Sequence, residues 1–173
     1  MITIQESGMS FGPFTKDHVF CIENSSTLLT LNKSSGIAIA EFLLFKSKNN
    51  KNYISIIEAK TSSPKPTNKE AFDTYISEIN TKLSNSLHLF ISYYSKRHLS
   101  GFDELPEQFK QLTIEEIHFE LILVIKTSKD DWLSPISDEL KSSLKLLTKL
   151  WNLSPNAIKV FNEDTARTHQ LVS

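Results

Sequence analysis

Apolar and polar positions along this chain change period several times, and the changes mark out its elements. Residues 1–17 carry the breakers Gly8, Gly12 and Pro13 and read as an irregular lead. Residues 18–23 read as a first strand, which residues 26–31 continue or pair back on. Lys33-Ser34-Ser35-Gly36 reads as a turn. Two runs rich in β-branched and aromatic types, residues 36–46 and 52–61, flank a polar Ser47-Lys48-Asn49-Asn50-Lys51 turn and predict a hairpin. After the stiff Pro64-Lys65-Pro66 connection, Thr67 or Asn68 can cap a helix with Glu70 in its first turn. Phe72, Ile76, Ile79, Leu83, Leu87 and Phe90 then recur at helical steps, which predicts one long amphipathic helix over 69–95. Residues 101–111 read as a loop with room for one helical turn.

The run from His118 to Lys126 is almost continuously apolar, the mark of a strand covered on both faces and so central or parallel. Leu140, Leu144, Leu147 and Trp151 place a second helix over 132–153. Residues 157–161 form a last short strand, and Asn162 is placed to cap a final helical turn. The order of elements predicts an α/β protein with a mixed central sheet flanked by helices. The expectation is one domain over 1–173, its core spanning roughly 18–127 and a C-terminal helix and strand lying in 130–162.

Three charged groups interrupt the greasy hairpin: Glu41, Glu58 and Lys60. Burying an unpaired charge is costly, so their placement calls for a use. With Asn49 and Asn50 at the centre of the turn, counting outward pairs Lys48 with Lys51, Phe45 with Ile54, Leu43 with Ile56 and Glu41 with Glu58. Lys60 follows two residues after Glu58 on the same face. A slip of one residue would put Glu41 on the opposite face. Two carboxylates at cross-strand distance repel unless one takes a proton or a cation bridges them. Oxygen ligands in a partly open site suit Mg²⁺ or Mn²⁺ beside a phosphate.

Glu41 followed on the next strand by Glu58-Ala59-Lys60, then a long helix and an apolar strand, resembles the PD-(D/E)xK, or restriction-endonuclease-like, nuclease superfamily. The resemblance covers roughly residues 18–127. It implies a restriction-endonuclease-like core and a metal-dependent phosphodiesterase acting on nucleic acid, DNA more often than RNA, of the kind found in prokaryotic restriction, repair or anti-phage systems. It would make Glu41 and Glu58 the acidic metal ligands and Lys60 the catalytic lysine. Glu23, upstream, is the candidate for the further acid that completes some members' sites. Three departures stand out: Glu41 takes the place of the usual Asp, Ala40 that of Pro, and no Gln-x-x-x-Tyr element follows in the helix. A catalytically silent binding or assembly subunit with the same fold is the alternative.

Composition changes this picture at a few points. A net charge of -1 sits poorly with unaided nucleic-acid binding, so a protein partner or self-association is expected to supply targeting. Lys65 and Lys69, just after the motif, are the candidate phosphate contacts. Cys21 is the only cysteine, lies in an apolar run, and reads as a small buried hydrophobe in a reducing cytoplasm. The histidines His18, His88, His98, His118 and His169 have no partners at zinc-ligand spacing, and no serine sits in a Gly-x-Ser-x-Gly context. Neither a membrane span nor a secretory leader is expected.

Overall fold

A computed structural model of the chain describes residues 1–32 and 36–173. The turn expected at Lys33-Ser34-Ser35-Gly36 falls largely outside them. The elements are β1 (Ile2–Glu6), β2 (Met9–Phe14), β3 (Val19–Phe20), α1 (Ser26–Leu31), β4 (Phe42–Lys48), β5 (Lys51–Lys60), α2 (Lys69–Tyr94), α3 (Leu99–Glu104), α4 (Glu107–Lys110), β6 (Ile117–Ile125), α5 (Asp130–Ser143), α6 (Lys145–Leu150), β7 (Ile158–Asn162) and α7 (Glu163–Thr168). A mixed five-stranded sheet runs β3-β4-β5-β6-β7, with a two-stranded β1-β2 sheet beside it. β3, β4 and β5 are antiparallel neighbours, whereas β6 runs parallel to both β5 and β7.

Alternation along the strands separates two cores. Leu43, Phe45, Ile54, Ile56, Leu121, Leu123 and Ile125 point toward the helical side, where α2 buries Ile76, Ile79, Leu83 and Phe90 and α5 buries Ile136 and Leu140. Phe42, Leu44, Ile57, Ala59, Ile122 and Val124 point the other way, under Met9 and Phe11 of the small hairpin, Ala166 of α7 and the tail residues Leu171 and Val172. β6 is therefore covered on both faces over its C-terminal half, as its unbroken apolar sequence requires. Trp132 and Trp151 pack against the helical-side core.

Several local expectations are corrected. Residues 2–14 form a hairpin rather than an irregular lead. Of the supposed breakers only Gly8 is in its turn, beside Ser7, both at positive φ (73° and 49°), while Gly12 and Pro13 lie within β2 of the two-stranded ribbon. The first strand of the main sheet shrinks to Val19–Phe20, flanked by single 3₁₀ turns over Lys16–His18 and Ile22–Asn24. Residues 26–31 are helical because the Ser25 hydroxyl accepts the Leu28 N–H and caps the turn, and this outweighs their β-rich composition. Residues 36–41 stay outside the ladder, so β4 begins at Phe42. The stretch 101–111 holds most of α3 and all of α4.

The second long helix is broken at Leu144, where Asn80 of α2 donates to the Ser143 carbonyl (2.8 Å) and hydroxyl (2.9 Å) and diverts that carbonyl from the helix. Asn68 precedes α2 but its side chain makes no cap bond, whereas Asn162 caps α7 by accepting the Thr165 N–H at 2.8 Å. Cys21 is only partly buried, against the hairpin-side core.

Candidate active site

The β4–β5 hairpin has the register that the count from Asn49-Asn50 requires: Lys48 opposite Lys51, Phe45 opposite Ile54, Leu43 opposite Ile56 and Phe42 opposite Ile57. Both asparagines have positive φ (52° and 56°), as a tight two-residue turn demands. Glu41 sits just before the ladder begins, near Glu58 on the face that meets α2, where Lys82 contacts both. Glu41 is held there from three sides. Its own N–H donates to the Ile57 carbonyl (3.1 Å), the Ala40 N–H donates to Ser86 Oγ (2.8 Å), and Asn85 Nδ2 donates to the Ala38 carbonyl (3.0 Å). The last two partners are on α2, so the helix sets the segment that carries the acid.

Glu58 is fully buried. Its Oε1 lies 2.8 Å from Lys82 Nζ and 3.3 Å from Lys60 Nζ, and Lys82 Nζ is also 3.6 Å from Glu41 Oε1. The second oxygen, Oε2, is buried with no hydrogen-bond partner among the described residues. Leaving such an atom unsatisfied costs on the order of 1–3 kcal/mol, more for a charged group. Burial pushes the Glu58 carboxyl above its ordinary range and the Glu41 charge adds to this, while Lys82 and Lys60 pull it down. Burial works against the charge on Lys82, but the hydrogen bond to Glu58 and the charges of Glu58 and Glu41 hold its ammonium above the usual value. The Tyr75 hydroxyl is also buried without a partner, and burial with the nearby Glu58 charge keeps it protonated.

Glu23 comes to the same place, not from the end of a strand but from the 3₁₀ turn after β3. One oxygen each from Glu6, Glu23 and Glu41 lie within 4.8 Å of one another. Burial, the Glu41 charge, a hydrogen bond to Glu41 and the Glu6 charge raise the Glu23 carboxyl to about 7, against the pull of Lys82. Glu6 is raised by burial and by Glu41. Four carboxylates thus surround two ammonium groups. If all are ionised, a surplus of negative charge is left for a cation to neutralise.

The structure therefore brings together Glu23, Glu41, Glu58 and Lys60. Lys65 and Lys69 lie outside the cluster, exposed on the connection and in the first turn of α2. Sequence reasoning missed two members. Lys82 lies three residues after Ile79 and four before the buried Ser86, so it borders the apolar stripe of α2, a spacing that placed it on the sheet side. Glu6 ends β1, where the alternation Ile2, Ile4, Glu6 and the Ser7-Gly8 pair were the available signals. The Ser7 hydroxyl donates to the Ala59 carbonyl (3.0 Å) and Lys126 Nζ donates to the Gly8 carbonyl (2.6 Å), which pins the hairpin turn to the C-terminal ends of β5 and β6.

No protein-family model, no curated protein and no solved structure matches this chain. Among the described residues, no helix is long and apolar enough to cross a membrane.

Proposed function

We propose that this protein is a divalent-metal-dependent nuclease, with Glu41, Glu58 and Lys60 at its catalytic centre. The observation that carries the reading is the buried Glu58, which shares Lys82 with Glu41, keeps one oxygen unpartnered and has Lys60 beside the other. The order of elements fits the resemblance to the PD-(D/E)xK nucleases: an antiparallel β3-β4-β5 meander, a long helix, and β6 returning parallel to β5.

The donors suit Mg²⁺ or Mn²⁺. They are all carboxylate oxygens, they outnumber the nearby ammonium groups, and one is left unsatisfied in the interior. A cation held by Glu41 and Glu58, with help from Glu23, would supply a polarised water and neutralise charge on a phosphodiester. The side chains do the rest. Glu58 is rigid, because it is anchored in a central strand and tied to Lys82. Lys60, 27 % exposed, can reach a phosphate oxygen and donate to the charge that develops there. Lys82 pulls the Glu58 carboxyl down against the effect of its burial. Lys65 and Lys69 follow in sequence and offer exposed ammonium groups to a nucleic-acid backbone, DNA ahead of RNA. Given the net charge of -1, a protein partner or a second copy of the chain is the expected source of targeting.

One contact favours a second reading, an assembly subunit with the same fold and no chemistry: the Lys82 ammonium already stands between Glu41 and Glu58. Plasmid nicking with Mg²⁺ or Mn²⁺, combined with calorimetric titration of the cation, separates the two. A nuclease cuts, binds the ion, and loses both properties in Glu58→Gln, whereas Lys60→Ala loses cutting but still binds the ion. A wild-type protein that neither cuts nor binds the ion sinks the nuclease reading.

A further inference from the structure

The face of the sheet turned away from α2 changes character along its length. Near the C-terminal ends of β5 and β6 it is apolar and roofed by the β1–β2 hairpin. Toward their N-terminal ends the outward positions become Lys46 and Lys48 on β4, Tyr53 and Ser55 on β5, His118 and Glu120 on β6 and Lys159 on β7. Central strands are ordinarily covered on both faces, yet here they floor an open groove of about 960 Å³, walled by β2 and by the tail after α7. Tyr53 lies five residues before Glu58 with its side chain on the other face. At about 3.3 Å per residue the groove floor is well separated from the acidic cluster and opposite in charge.

The groove is built for an anion. Lys46, Lys48, Lys159 and Arg167 line it together with His18 and His169, and among the described residues Glu120 is the single carboxylate side chain that does so. Glu120 is already engaged, accepting from Lys159 and from the Ser55 hydroxyl, and Arg167 is held by Glu163 and Asp164. Lys46 is different. It is half-buried on the floor, its hydrogen bond to the His169 carbonyl is long at 3.4 Å, and it makes no ion pair among the described residues. Burial holds its ammonium below the usual range, and Lys159 and Lys48 add to this against the pull of Glu120. A dense anion on Lys46 would relieve both the desolvation and the repulsion. Phe14 and Tyr53 add aromatic surface, and the volume is that of a small-molecule site rather than a single-ion pocket.

The geometry points to a second site, independent of the acidic cluster: a groove on the hairpin side of the sheet that binds a phosphate monoester of nucleotide size, its phosphate on Lys46 with Lys48 and Lys159 alongside. Calorimetry and thermal shift on the full chain in EDTA, with AMP and inorganic phosphate as probes and adenosine as the uncharged control, test it. AMP binds and raises Tm, phosphate binds more weakly, and adenosine has no effect. Lys46→Gln weakens AMP by at least about tenfold. Glu120→Gln, which removes the opposing side-chain charge, tightens it. Lys60→Ala leaves it unchanged. Four results would overturn the assignment: no AMP binding at millimolar concentration, adenosine binding as well as AMP, unchanged affinity in Lys46→Gln, or loss of binding in Lys60→Ala. Displacement of AMP by a short single-stranded oligonucleotide lacking a terminal phosphate would overturn it too, because the groove would then take a strand.

Discussion

Replacing Glu23 with Gln should make this protein more stable in the absence of divalent ions. Glu23 shares its corner with Glu6 and Glu41, and burial with those two neighbours lifts its carboxyl from an ordinary 4.5 to about 7. Below about 4.5 the group is protonated in both folded and unfolded chains and contributes no difference. As pH rises toward 7 the unfolded chain releases its proton while the folded one retains it, so folding is progressively penalised and the full penalty is present above 7. At full weight that separation is worth about 3 kcal/mol. Glu23 is partly exposed and solvent screens the charge, so roughly 1–2 kcal/mol is the working figure. Glu6 and Glu58 are raised as well and slope the same way. Urea denaturation in EDTA across pH 5 to pH 8, read by circular dichroism, is the assay. Wild type should lose stability over this window, whereas Glu23→Gln should lose less and be the more stable protein at the upper end. A wild-type profile that is flat or rising, with no gain in the variant, would show that the three carboxylates do not repel as their geometry requires.

Lys82→Met removes the closest cation from the buried Glu58 and leaves Lys60 at 3.3 Å. A loss of about 2–3 kcal/mol is expected in urea denaturation, and the double variant with Glu58→Gln should recover most of it, because the penalty is the stranded charge. At Gly101 in α3 an added Cβ would lie 2.3 Å from the ring of Tyr93, which is fully buried and fixed by a 2.6 Å hydrogen bond to Ser25. Gly101→Ala should therefore lower stability by about 2–3 kcal/mol, measured by the same method.

The sheet and the long helix were legible because their signals are local and redundant. Asn49-Asn50 set the register of β4 against β5, alternation set the faces, and the period of α2 set its span. The pair Glu41 and Glu58 followed from that register by counting. What escaped depends on tertiary context. The Ser25 cap outweighs β propensity in α1, and the Asn80 side chain ends α5 from a neighbouring helix. Lys82 was missed because it only borders the amphipathic stripe, and the sequence does not say which side chains the sheet will present beneath it. Glu6 was hidden by reading Gly8, Gly12 and Pro13 as disorder of pattern rather than as the turn and edge of a ribbon.

The tether between the Ser7-Gly8 turn and the far ends of β5 and β6 bears on when the site comes into being. The β4–β5 meander closes over short loops, whereas Gly8 meets Lys126 only after more than a hundred intervening residues have been made and arranged. Contacts of such separation close slowly. Glu6 is therefore fully fixed beside Glu23 and Glu41 late, because a nascent chain still short of β6 holds that turn only through the Ser7 contacts with Ala59 and Thr61. Assembly of the acidic corner is in this way tied to completion of the sheet, and a half-synthesised molecule holds only part of the cluster in place.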